Sequence, residues 1–108
     1  MALKINMQES EDLKYWILQP EGDLDAFSSP LFQEKVLSQF VRDKKNIHLD
    51  GERLTYIDST GLGALIGIYK KLKDENCNLI LKNINSTVKK LFTITELDQI
   101  FTFEESEA

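Results

Sequence analysis

Apolar residues recur at every second position in some stretches of this chain and at helical spacing in others, and the two kinds of stretch take turns along its length. Leu3, Ile5 and Met7 alternate as a half-buried strand does, and after the polar turn Gln8 to Asp12 a second strand is predicted over Leu13 to Leu18. Pro20 and Gly22 interrupt that run. Ser28-Ser29-Pro30 reads as a helix start, with a serine cap and proline in the first turn, and Leu31, Phe32, Val36, Leu37 and Phe40 follow at helical intervals. Ile47 to Asp50 is a further strand. A second helix buries Leu62, Leu65, Ile66, Tyr69 and Leu72 and ends in Lys70, Lys71 and Lys73, where the helix dipole favours cations. Asn76 supplies a turn, Leu79 to Leu81 a strand, and Ser86 the cap of a third helix with Val88, Leu91, Phe92 and Ile94; Ile100, Phe101 and Phe103 form the last strand. The predicted order, β-β-α-β-α-β-α-β, implies an α/β domain: a mixed, mostly parallel sheet with right-handed crossovers and helices packed on it. Functional loops in such sheets lie beyond the carboxyl ends of the strands.

A chain of 108 residues, 42% hydrophobic and 29% charged, fits a single domain over residues 1–108 with a core of its own. The formal net charge of −5, with Lys and Arg dispersed, argues against nucleic acid or an acidic membrane as partner. Cys77 is the single cysteine, which excludes an intrachain disulfide and a cysteine-rich zinc site. Neither a signal-like apolar run nor a segment long enough to span a bilayer is present, so a cytoplasmic protein, monomeric when free, is expected. The acidic end, residues 104–108, reads as a solvated tail.

Chemistry is sparse. His48, the lone histidine, sits mid-strand and reads as a structural residue rather than a general base. Gly61-Leu62-Gly63 lacks both the Gly-Lys-Ser/Thr ending of a nucleotide-hydrolase loop and the third glycine of a dinucleotide fingerprint. No cofactor is expected, and the chain reads as a binding module rather than an enzyme. Asp23, Asp25 and Asp58 are open to two readings, hard-oxygen ligands of a divalent cation or helix caps and turn formers, and the second is favoured. Gly61, Gly63 and Gly67 are costly within one helix. Either the helix packs tightly on its own sheet or a partner approaches the backbone around Ser59. Ala64 and Ile68, off the predicted apolar face, are expected to leave apolar area exposed there.

Tyr56-Ile57-Asp58-Ser59-Thr60-Gly61-Leu62-Gly63-Ala64-Leu65 resembles the signature of the anti-sigma factor antagonists, the bacterial STAS-domain proteins. Gly22-Asp23-Leu24-Asp25 falls where that family has Gly-Glu-Ile/Leu-Asp, Leu31 to Leu37 matches its first helix and Val88-Lys89-Lys90-Leu91-Phe92 its third. The resemblance covers essentially the whole chain and implies a stand-alone partner-switching protein. The unphosphorylated form binds an anti-sigma factor that is also a serine kinase, freeing the sigma factor; phosphorylation of Ser59 ends the binding, and a metal-dependent phosphoserine phosphatase restores it. Thr60 is the neighbouring hydroxyl, and the implied contact surface comprises Asp23, Asp25, Asp58, Thr60, Gly61, Gly63, Ala64 and Ile68. The alternative within the same fold is a scaffold or accessory subunit of a signalling assembly or lipid-transport ATPase. The sequence departs from the family pattern at Asp23, a shorter acid than the usual glutamate, at Gly51, where the third strand is expected to end early or bulge, and at Glu96, where glycine is common.

Overall fold

The computed structural model describes residues 2–105. Strands β1 (Lys4–Glu9) and β2 (Tyr15–Leu24) lead into helix α1 (Ser29–Arg42), strands β3 (Asn46–Asp50) and β4 (Leu54–Ile57), helix α2 (Ser59–Asp74), strand β5 (Leu79–Lys82), helix α3 (Ser86–Ile94), a 3-10 turn (Leu97–Gln99) and strand β6 (Thr102–Glu104). The sheet runs β1-β2-β3-β5-β6, with β1 antiparallel to β2 and the other pairs parallel. β4 pairs in parallel with the far end of β2. This is the mixed α/β sheet that the alternation of periods predicts.

Residues alternating onto one face of the sheet, Trp16, Leu18, Ile47, Leu49, Leu79 and Leu81, are buried in one cluster with Phe32 and Phe40 of α1, Leu65 and Leu72 of α2, and Phe92 of α3. The three helices therefore cover a single face. Ile17, His48 and Ile80, which point the other way, are half-buried. Phe92 meets Phe101 and Phe103 edge-on at ring distances of 5.5 and 5.4 Å, which pins the last strand to α3.

Several local expectations give way. β2 starts at Tyr15, because Leu13 takes a left-handed conformation (φ 62°) in the hairpin turn, and it runs straight through Pro20 and Gly22. Its edge is shared: Tyr15 to Leu18 pair with β3 and Gly22 to Leu24 with β4. Pro20 falls in the interval between these two partners, where a missing N–H interrupts neither ladder on that edge. Gly22 adopts φ 114°, a conformation closed to other residues, at the register shift that redirects β2 toward β4. β4 is absent from the predicted order because its burial does not alternate: Leu54 and Ile57 are buried and Thr55 and Tyr56 exposed. β3 ends at Asp50, as Gly51 foretells.

The third helix is capped by Asn85, not Ser86; the Asn85 carboxamide accepts from the Val88 N–H at 2.8 Å and donates to the Leu54 carbonyl at 3.0 Å. The final strand begins at Thr102, after the 3-10 turn, so Ile100 and Phe101 precede it; Glu104, assigned to the tail, is its last residue, and residues 106–108 lie outside the described residues. Glu96 sits at φ 62°, ψ 13°, the left-handed region in which a Cβ costs about 1–2 kcal/mol. Glu96→Gly is expected to raise stability by roughly 0.5–1 kcal/mol, since part of that relief is offset by glycine's greater freedom when unfolded. Urea denaturation checks this, and an unchanged or lower midpoint would count against strain at this turn.

Candidate functional site

The site forms where β2 and β4 end side by side. Leu24 of β2 pairs with Ile57 of β4, and the Asp58 N–H donates to the Leu24 carbonyl at 3.3 Å. Asp23 near the end of β2, Asp25 just beyond it and the start of α2 are thus neighbours at one end of the sheet, as the sequence predicts, although Asp23 is a strand residue rather than a loop one.

Asp58 is the N-cap of α2. Its carboxylate accepts from the Gly61 N–H at 3.0 Å and from the Thr60 hydroxyl at 2.5 Å. These bonds, the Thr60 hydroxyl foremost, hold its carboxyl below the ordinary aspartate range, with a smaller contribution from the Ala26 N–H across the loop. A carboxyl whose pKa is depressed on folding stabilises the fold above its unfolded value, about 3.9, and loses that contribution as acid titrates it in the folded state. At neutral pH the cap is therefore a fixed negative charge.

Ser59 is the first residue of α2 and is exposed. Its hydroxyl bonds to no described residue, whereas that of Thr60 is committed to Asp58. Asp25 organises the facing loop: one carboxylate oxygen accepts from the N–H groups of Phe27 and Ser28, both at 3.0 Å. The Ser28 hydroxyl, expected to cap α1, instead donates to the Asp23 carbonyl at 2.8 Å and accepts from the Asp25 N–H at 3.0 Å. Asp23 accepts from the Thr55 hydroxyl of β4 at 3.0 Å. Asp58 and Asp25 thus carry out the cap and turn duties favoured from sequence, whereas the Asp23 carboxylate accepts from a strand side chain rather than from the turn backbone, and no group of three metal-ligating side chains occurs among the described residues.

The contact surface is smaller than expected. Ala64 is 4% exposed and Ile68 0%, so neither offers apolar area to a partner. Their side of α2 faces the core, in the series Gly61, Ala64/Leu65, Ile68 and Leu72, while Ile66 and Tyr69, placed on the apolar face from sequence, are only half-buried. The three glycines differ in kind. A Cβ at Gly61 would lie 2.4 Å from the Leu24 carbonyl oxygen, and one at Gly67 would lie 2.3 Å from the Gln33 amide nitrogen on α1. One at Gly63 would meet nothing within 4 Å. Close packing on the strand backbone accounts for Gly61, the end of the Gln33 side chain can swing aside at Gly67, and Gly63 is the exposed one.

His48 stacks on Tyr15 at 3.8 Å on the opposite sheet face, and burial, aided by Lys82, pushes its pKa down. Cys77 is buried, and that burial pushes its thiol up. No helix among the described residues is long and apolar enough to cross a membrane.

The STAS domain family model matches residues 4–108. The anti-sigma-B factor antagonist of Listeria monocytogenes is 25% identical over 107 residues, spanning 99% of this chain and 91% of its own. A candidate anti-sigma factor antagonist of Thermotoga maritima superposes with a TM-score of 0.84 at 25% identity, over 95% of this chain and 86% of that one. The phosphorylated form of the Bacillus cell fate determinant SpoIIAA superposes with a TM-score of 0.75 at 20% identity, over 96% and 92% of the two chains, a likeness of fold. With its sheet order, its capped serine at the start of α2 and a family match over nearly its whole length, the chain belongs to the STAS domain family.

Proposed function

We propose that this protein is an anti-sigma factor antagonist whose binding is switched by phosphorylation of Ser59. The observation that carries the reading is the exposed, uncommitted Ser59 hydroxyl at the first position of α2, one residue after an ionised cap, in a chain whose relatives bear that name. The unmodified surface, Ser59, Thr60 and Gly63 with the acid loop Asp23–Asp25 beside it, binds an anti-sigma factor that is also a serine kinase, and the sigma factor is released. The kinase transfers phosphate to Ser59, the complex parts, and a metal-dependent phosphoserine phosphatase resets the surface. The protein acts by binding and supplies no catalytic group.

Charge and bulk explain the release. Phosphate adds about −1.5 to −2 charges at pH 7. The helix N-terminus tolerates an anion, so α2 need not unfold. Asp58 lies next to the new charge and Asp25 across the strand ends, and a partner fitted to the neutral hydroxyl meets added volume and repulsion. The preference for Ser59 over Thr60 follows from the Thr60–Asp58 bond, which a kinase would have to break to reach the second hydroxyl.

Incubation with the anti-sigma factor serine kinase of the source organism and ATP, followed by mass spectrometric site mapping, tests this. One phosphate on Ser59 is expected. No incorporation, or label that persists in Ser59→Ala, would refute Ser59 as the acceptor.

A further inference from the structure

Phe27 is the most exposed large apolar side chain among the described residues, at 96%. Isolated exposed hydrophobics are common on soluble proteins and mean little alone. This one is held on a rigid loop. Its own N–H and that of Ser28 are tied to the Asp25 carboxylate, the Ser28 hydroxyl is tied to the Asp23 carbonyl, and the Ser29 N–H donates to the Asp25 carbonyl at 2.9 Å. The ring therefore projects from a loop whose ordering is complete before any partner arrives, which removes much of the entropy cost of using it as a contact. It is also not alone: Leu31, 56% exposed, and the half-buried Leu3 and Ile5 line an open cleft of 460 Å³ with it. The loop is directly continuous with the switch, because it follows Leu24, which pairs with Ile57 and whose carbonyl accepts from the Asp58 N–H.

We infer that Phe27 is the apolar anchor of the surface that meets the anti-sigma factor kinase, an assignment that rests on the proposed function. Asp25 in the same loop and Asp58 at the same end of the sheet specify the partner's chemistry: an apolar pocket for the ring with a cationic rim for the acids. Anchors of this kind, a rigid aromatic at the centre of a polar rim, carry most of the energy of protein interfaces. Ser59 then decides whether the surfaces can close, and Phe27 supplies the affinity when they do.

The test is titration calorimetry of the full chain against the purified anti-sigma factor serine kinase of the source organism, with sedimentation of the free protein. Phe27→Ala is expected to weaken binding about thirtyfold or more, the threshold of an interface hot spot, and to a similar extent at low and high salt, because the lost contact is apolar. Phe27→Tyr should keep most of the affinity. Thermal stability should not change in either variant, since the ring packs on little in the free protein. Wild-type protein that binds the kinase with Phe27→Ala equally tight would overturn the anchor while leaving the proposed function standing. Wild-type protein that does not bind the kinase at all would remove both. Self-association of the wild type that Phe27→Ala abolishes would overturn the anchor in favour of a second copy of this chain as the occupant.

Discussion

Ser59→Asp is expected to weaken binding to the anti-sigma factor kinase about a hundredfold or more, equivalent to roughly 2.7 kcal/mol, without disturbing the fold. The size follows from where the charge lands. Ser59 is exposed at the start of α2, beside an Asp58 carboxylate already held ionised by the Thr60 hydroxyl and the Gly61 N–H. A second negative charge there cannot be neutralised by Asp58 taking up a proton near pH 7. Like charges brought together at an interface cost several kcal/mol, and the phosphate itself, larger and more highly charged than a carboxylate, should act more strongly than the mimic. Within the free protein the same charge is tolerated, since acidic groups in the first turn of a helix are favoured by about 0.3–1 kcal/mol. Ser59→Ala removes a hydroxyl that bonds to no described residue, so it should leave stability within about 0.5 kcal/mol of wild type and bind constitutively in the presence of kinase and ATP. Calorimetric titration together with circular dichroism separates the two effects, and a Ser59→Asp variant binding as tightly as wild type would sink the electrostatic account.

Gly61→Ala and Gly63→Ala, the same change two residues apart in one helix, are expected to shift stability in opposite directions. At Gly61 the new methyl would sit 2.4 Å from the Leu24 carbonyl oxygen and 2.7 Å from a side-chain carbon of Ile57. Neither the strand carbonyl nor the base of a buried side chain can retreat cheaply, and overpacking of this kind costs about 1–3 kcal/mol. At Gly63 the methyl enters open space, and exchanging glycine for alanine in a helix interior gains about 1 kcal/mol. For a domain of this size each kcal/mol moves Tm by roughly 4–8 °C, so the two variants should be separated by several degrees on either side of wild type. Gly63→Ala carries a second readout. If a partner approaches the backbone at this point, the more stable variant should bind less well, and kinase affinity unchanged by Gly63→Ala would show that the glycine serves no contact.

Much of this architecture is legible in the sequence because alternation and helical spacing report which residues face a common core. Ile47 and Leu49 read correctly as inward, as did Phe32, Val36 and Phe40. Asp58 as a cap also follows from local chemistry, since a short acid before a helix has few other uses for its carboxylate. Errors arise where tertiary neighbours decide. β4 has no period of two, because its middle residues are exposed while its ends are buried. β2 tolerates Pro20 and Gly22 only because its neighbour changes at that point, which no window along the chain can reveal. Ala64 and Ile68 read as outward from helical spacing alone; α2 packs on both the sheet and α1, and its buried stripe is set by those two directions together. Phe27 had no sequence signal as a surface residue. An aromatic between an acidic loop and a helix start reads equally well as core, and only the turn built on Asp25 turns it outward.

The division of one edge of β2 between β3 and β4 bears on how the switch can respond to its own modification. Asp23 lies near the end of β2 and Asp25 just beyond it, and Ser59 leaves the end of the strand hydrogen-bonded to that same end, so no hinge separates them. Two charged elements on flexible arms could drift apart and dissipate an added charge. These are fixed in mutual register by a shared backbone ladder, so a phosphate on Ser59 in the proposed switch could not lower its repulsion by the two elements moving apart. In the proposed switch that repulsion would be felt by whatever binds this end of the sheet, and stiffness rather than motion would make a single phosphate decisive.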